Sequence, residues 1–259
     1  AFGLRVLMEY TERELMVIAA AREIRDSEVV FVGMRLPLLA FALAKRTHAP
    51  NAIGLFESGI VRESPAPEML FTMSDPPNVS GALWSTSTAN LMGMLQQGLV
   101  NLGFIGGAEV DKFGNLNTSY IGDWRRPRVK LPGSGGGVDI ACLAKRFVII
   151  MPQERHRFTE RVSYITSPGF GEGCDWRRRE GLRGGGPVAL ITTVGVFRFD
   201  PESKEAYLAS YHPGQRVDTV KAQTGWDLKV APDVSETPEP TSAELEIVRA
   251  CDPRGFWTR

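Results

Sequence analysis

Residues 28–59 read EVVFVGMRLPLLAFALAKRTHAPNAIGLFESG, and the order of apolar runs in this stretch decides the fold. Glu28-Val-Val-Phe-Val-Gly33 is a short apolar run closed by glycine, the pattern of a strand buried on both faces in a parallel sheet. Pro37 stands in the first turn of a helix expected over residues 38–45, and residues 52–56 form the next short strand. Strand, helix and strand in this order are the unit of a doubly wound sheet, in which ligands gather beyond the carboxyl ends of the strands. Glu57-Ser58-Gly59 falls at such an end.

The same alternation extends outward in both directions. Upstream, Thr11 and Glu14 have the spacing of a capping box, and Leu15, Ile18, Ala19 and Arg22 continue a helix to about Arg25. Downstream, a helix is expected over 88–99 and a strand over 100–105 that runs into Gly106-Gly107-Ala108. Turn chemistry at Gly114-Asn115 precedes a basic segment ending at Lys130. Gly133-Ser-Gly-Gly-Gly137 then opens a helix over 138–144, followed by a buried strand over 147–151. Residues 188–192, 194–199 and 206–211 read as mixed or antiparallel strands, and Thr241 with Glu244 caps a final helix. Residues 65–78 have no clear period and read as loop. No proline-rich linker forces a boundary before about Pro232. The expected fold is α/β, an open mostly parallel sheet flanked by helices with additional antiparallel strands, in one domain spanning 1–259.

Composition narrows the function. With 43% hydrophobic and 23% charged residues in 259, the chain is globular, which excludes disordered, collagen-like and coiled-coil readings. Thirty basic residues balance thirty acidic ones, so the electrostatic footprint of a general nucleic-acid binder is missing. Cys142, Cys174 and Cys251 form no CxxC pair, and His48, His156 and His212 are scattered, so neither a disulfide framework nor a metal site is expected. The start of the chain lacks a leader pattern and no window holds 18 uninterrupted apolar residues. The expectation is a cytoplasmic protein without a membrane partner.

Three features can carry chemistry, and each also has a plain structural reading. Glu57 at a strand end is either a reacting carboxylate or an ordinary surface one. The cluster from Gly133 to Gly137 offers backbone N–H groups that bind phosphate or stabilise an oxyanion, or it is a flexible loop lacking the lysine and spacing of a P-loop. Gly106 and Gly107 permit close backbone approach, or a bend.

In register, Thr11 with Glu14, Gly33-Met-Arg-Leu-Pro37, Ala44-Lys-Arg46, Glu57-Ser-Gly59, Phe104-Ile-Gly-Gly-Ala-Glu-Val-Asp111, Gly114-Asn-Leu-Asn117, Ile121-Gly-Asp123, Gly133-Ser-Gly-Gly136 and Tyr164-Ile-Thr-Ser-Pro-Gly169 resemble the class I coenzyme A transferases. The likeness is greatest to the β chains of their glutaconate CoA-transferase branch and runs from about Thr11 to about Pro253. It implies a heterodimer or heterotetramer in which a separate α subunit supplies much of the surface for coenzyme A. Glu57 matches the family nucleophile, which forms an acyl-glutamyl anhydride and then a glutamyl-CoA thioester. Gly135, Gly136 and Gly137 match the loop beside the oxyanion, with Gly106 and Gly107 on the floor of the same cleft. Gly137 departs from the alanine that tends to follow the glycine pair, and Ser58 is a candidate to hydrogen-bond the glutamate. No tightly bound cofactor is implied, since the acyl-CoA is a substrate.

The remaining residues read more plainly. Arg125, Arg126, Arg128 and Lys130, like Arg177, Arg178 and Arg179, are able to meet a dicarboxylate or coenzyme A phosphates but read chiefly as solvated basic stretches or subunit contacts. Cys142 reads as a small core residue and 164–169 as a structural or interface turn. An acyl-CoA hydrolase or a decarboxylase on the same fold, or a noncatalytic binding subunit, are the competing functions.

Overall fold

The computed structural model describes residues 9–259; the first eight residues, part of the segment read above for a leader, lie outside them. The chain runs α1 (Glu12–Ala21), β1 (Val29–Val32), α2 (Leu36–Arg46), β2 (Ile53–Phe56), β3 (Ile60–Arg62), α3 (Pro76–Val79), β4 (Trp84–Ser85), α4 (Thr88–Gln96) and β5 (Leu102–Ile105). It continues through β6 (Glu109–Asp111), β7 (Leu116–Asn117), β8 (Tyr120–Ile121), β9 (Val129–Lys130), α5 (Gly137–Leu143), β10 (Arg146–Ile150), β11 (Phe158–Thr159) and α6 (Trp176–Arg179). It closes with β12 (Pro187–Ile191), β13 (Gly195–Phe199), β14 (Ala206–Tyr211), α7 (Val217–Ala222), β15 (Lys229–Glu236) and α8 (Ser242–Cys251).

Ten of these strands form one sheet in the order β15-β14-β13-β12-β10-β5-β1-β2-β3-β4. Its centre, β12-β10-β5-β1-β2, is wholly parallel, whereas β3, β4, β13 and β14 pair antiparallel with their predecessors in the sheet. The expected α/β class and the added antiparallel strands are therefore observed. From β1 the chain goes outward to β2, then returns to the other side of β1 to lay down β5 and β10. The switch point of the sheet lies between β1 and β5, and a crevice opens there beyond the carboxyl ends of both.

Strand alternation assigns each face its helices. Val30, Val32, Phe104, Val148 and Ile150 pack with α1, α2 and α8, while Phe31, Leu55, Phe147 and Ile149 face α4, α5 and the Val220 side of α7. Gly103 on β5 lets α5 lie close, because a Cβ there would be 2.2 Å from Ile140 Cγ2. Both expected capping boxes form, Thr11 with Glu14 and Thr241 with Glu244. No helix among the described residues is long and apolar enough to cross a membrane.

Some elements differ from expectation. The first helix stops at Ala21 rather than near Arg25. The loop over 65–78 runs into the short helix α3. Residues around Pro232, for which no strand is expected, form β15: this strand is at the edge of the sheet, and its pairing with β14 is irregular between Leu208 and Ser210, which accommodates a residue without an N–H.

Candidate active site

Glu57 is the first residue of the three-residue turn between β2 and β3. Phe56 pairs with Ile60, and Gly59 N–H donates to the Phe56 carbonyl at 2.9 Å, so the chain reverses at once. Gly59 has φ of 99°, and a Cβ there would lie 2.1 Å from the Thr86 carbonyl oxygen; only glycine fits. The Thr88 hydroxyl donates to the Glu57 carbonyl at 2.8 Å and ties the turn to the first residue of α4. The half-buried carboxylate thus projects from a fixed backbone, and its Oε1 accepts the Gly136 N–H at 3.1 Å.

Gly136 belongs to the N-terminal cap of α5. A Cβ on it would stand 2.9 Å from Met92 Cε and 3.2 Å from Glu57 Cδ, so its lack of a side chain permits the approach. The glycine segment is hung on β7 and its continuation: Gly133 N–H donates to the Thr118 carbonyl and Leu131 N–H to the Ser119 carbonyl, each at 2.8 Å. Asn117 fixes that support, accepting from Ser119 N–H at 2.9 Å and donating to Glu109 at 2.7 Å. Asn115 in turn accepts from Gly169 and Gly171 N–H at 2.9 and 3.0 Å and donates to Asp111. The Gly114-Asn-Leu-Asn117 signature is therefore a polar frame beneath the glycine loop. Burial pushes the Asp111 carboxyl up to about 6 against the hydrogen bonds it accepts from Asn115 and Phe113.

Glu57, Gly106, Gly107, Gly135, Gly136 and Gly137 all line one cleft of about 960 Å³ at the switch point. Its walls are the ends of β1, β5 and β10, with Met73, Phe256 and Trp257 at the sides. Three arginines also line it. Arg13 donates to the Arg259 carbonyl at 2.7 Å, and Arg157 to Glu154 at 3.1 Å. Arg35 lies over the Trp257 ring, 5.8 Å from its centroid.

The structure redistributes several expected roles. Ser58 does not serve the glutamate: its hydroxyl donates to the Met73 carbonyl at 3.0 Å and anchors the 63–80 loop. Arg177 is not solvated. It is buried and donates to the carbonyls of Ala141, Gly169 and Gly184 at 2.8, 2.7 and 2.9 Å, so its charge is hydrogen-bonded within the protein. Arg178 and Arg179 are exposed beside Asp175, as expected of a solvated stretch. Arg125, Arg126, Arg128 and Lys130 are exposed on the β8–β9 hairpin and do not line the cleft, although Leu131, next to Lys130, does. Cys142 is half-buried on α5, where burial raises its thiol pKa. Within 164–169, Thr166 and Ser167 are buried against β7, whereas Tyr164 and Ile165 are exposed. Thr88, Met92 and Arg35 were not legible as site residues, since nothing in their local sequence signals a neighbour so distant.

A carboxylate at a strand end is met here by a backbone N–H from a glycine loop in an open α/β switch-point cleft, an arrangement able to stabilise negative charge on an oxygen. Residues 13–223 match the family described as Coenzyme A transferase, and the chain belongs to that family. It is 40% identical to the B subunit of 3-oxoadipate CoA-transferase from Pseudomonas knackmussii, over 95% of this chain and 94% of that one. It is 35% identical to the B subunit of glutaconate CoA-transferase from Acidaminococcus fermentans, over 93% and 91% of the two chains. The crystal structure of glutaconate coenzyme A-transferase from the same organism superposes with a TM-score of 0.90 at 31% identity, covering 97% of this chain and 98% of that one.

Proposed function

We propose that this chain is the β subunit of a heteromeric CoA-transferase that moves coenzyme A between carboxylic acids, glutaconate-like dicarboxylates among them, through a glutamyl-CoA thioester on Glu57. The observation that carries this reading is the Gly136 N–H on Glu57 Oε1 at 3.1 Å inside the cleft. A Glu57 oxygen attacks the acyl carbon of the thioester and the coenzyme A thiolate leaves, giving a mixed anhydride. The thiolate then attacks the Glu57 carbonyl carbon, and the first acid departs as its carboxylate. The second acid reverses both steps, so no net proton is gained or lost. The nucleophile is an anion near neutral pH and requires no base.

In this scheme Gly136 has a particular task. When the thiolate adds to Cδ of Glu57, negative charge collects on an oxygen that the Gly136 N–H already faces, so stabilisation requires no reorganisation. Gly135 and Gly137 hold that N–H in the loop, and Gly106 and Gly107 keep the floor free of side chains. Both relatives are named as one subunit of a larger enzyme, which supports an α subunit as the partner.

The test is the intact mass of the co-expressed heteromer after incubation with a panel of acyl-CoAs. A coenzyme A adduct on this chain, absent in Glu57→Gln, is the expected result. Consumption of acyl-CoA without an adduct would turn the reading to the hydrolase or decarboxylase, and absence of any Glu57-dependent turnover to a noncatalytic role. The isolated β chain is expected to be inactive.

A further inference from the structure

Arg35 is the cleft cation whose charge is not spent. Among the described residues, its guanidinium meets only the Trp257 ring, whereas Arg13 is held by carbonyl oxygens and Arg157 by Glu154. The backbone at Arg35 has φ of 68° and ψ of −121°, outside the regions that a residue with a side chain normally adopts. Such a residue persists where surrounding structure imposes it, and an outlier of this kind at a cleft asks what its side chain does there.

Its position relative to Glu57 answers that question. Strands β1 and β2 are adjacent and parallel, with Val32 paired to Phe56, so Glu57 follows one residue beyond the pair and Arg35 three. Their strands are about 4.8 Å apart, and both residues line the same cleft. A carboxylate nucleophile and an unpaired guanidinium thus stand at neighbouring strand ends. On the proposed function above, we infer that Arg35 binds the second carboxylate of a dicarboxylic acid whose first carboxylate exchanges coenzyme A on Glu57. A guanidinium matches a carboxylate with two parallel N–H donors, and the Trp257 ring flanks this one at 5.8 Å from its centroid. The competing anion, a phosphate of coenzyme A, lies a whole pantetheine arm from the sulfur, whereas the far carboxylate of a short diacid is only a few bonds from the reacting carbon.

The experiment uses the heteromer and compares glutarate with pentanoate as acceptors, in wild type, Arg35→Gly and Arg35→Lys. In ping-pong exchange kcat/KM for the acceptor reports its own half-reaction. The ratio of kcat/KM for glutarate over pentanoate is expected to fall about 10- to 100-fold in Arg35→Gly, the worth of a hydrogen-bonded charge, with an intermediate loss in Arg35→Lys. Glycine relieves the positive φ, so Tm is not lowered and unfolding does not explain the loss. An unchanged ratio overturns the proposal. So does a loss confined to KM for acyl-CoA that vanishes with an acyl-pantetheine lacking phosphates. Wild-type transfer to neither acid would instead overturn the transferase reading, and this inference with it.

Discussion

The contact between Glu57 and Gly136 puts the proposed nucleophile and its electrostatic support within one hydrogen bond, although 79 residues separate them. Gly136 has φ of −75°, which alanine adopts freely, so its importance lies in space and not in backbone freedom. Gly136→Ala is therefore expected to leave Tm nearly unchanged while the loop recedes from Glu57. Loss of one such donor costs about 10²–10³ in kcat. Met92 contributes the flexible side of the crowding, so Met92→Ala in the same background should restore part of the rate. Steady-state kinetics of the heteromer measures both. The glycine cluster was legible in the sequence as a source of N–H groups. Which N–H reaches the carboxylate was not, since it depends on how closely Gly103 lets α5 settle on β5.

At the scale of elements, the 63–80 loop shows how a wall of the cleft is held without regular structure. Arg62, at the end of β3, is 2% exposed and donates to the carbonyls of Ser64, Asn78 and Ser80 at 2.9, 2.7 and 2.7 Å. Among the described residues no carboxylate pairs with it; the loop's own backbone solvates the charge. Arg62→Met leaves those oxygens unpaired and is expected to cost roughly 2–4 kcal/mol in urea unfolding, with new proteolytic cuts within 63–80. The turn after β2 is equally intolerant. Gly59→Ala, pressed against Thr86 and held at φ of 99°, should destabilise by more than about 1 kcal/mol and misplace Glu57, measured as a fall in both Tm and kcat. Periodicity located β1, β2, β5 and β10 because each is a local apolar run. It missed β15, whose proline and polar residues are tolerated only because the strand is at the edge.

Across the whole molecule, α8 closes the fold on α1: Arg249 pairs with the buried Glu14 at 2.7 Å and Arg22 with Glu244 at 2.9 Å. Two buried titrating groups then set opposed pH dependences. His212 donates from Nε2 to the Thr192 carbonyl and accepts from Thr237 at Nδ1, a neutral arrangement, and burial lowers its pKa from 6.5 to about 4. Its contribution is fully present above pH 6.5 and is lost as pH falls toward about 4, because the unfolded chain binds the proton more readily. Asp111 has the opposite sign: raised from 3.8 to about 6, it favours the folded state most below 3.8, and that contribution is lost as pH rises toward about 6. Between about pH 4 and 6 the two offset each other. His212→Gln should therefore lose less stability than wild type when urea unfolding at about pH 4.5 is compared with pH 7. An equal loss in both would show that His212 is not the group responsible.

The sequence by itself determined the parallel centre of the sheet, the two capped helices and the position of Glu57 at a strand end, because each is written in a few consecutive residues. Only the tertiary structure decided which groups meet. Ser58 turns to Met73 rather than to Glu57, Arg177 is buried among carbonyls while its neighbours Arg178 and Arg179 are exposed, and Arg35 lines the cleft with a backbone at positive φ. Burial and hydrogen-bond partners are properties of distant chain segments brought together, and for these residues no local pattern encodes them.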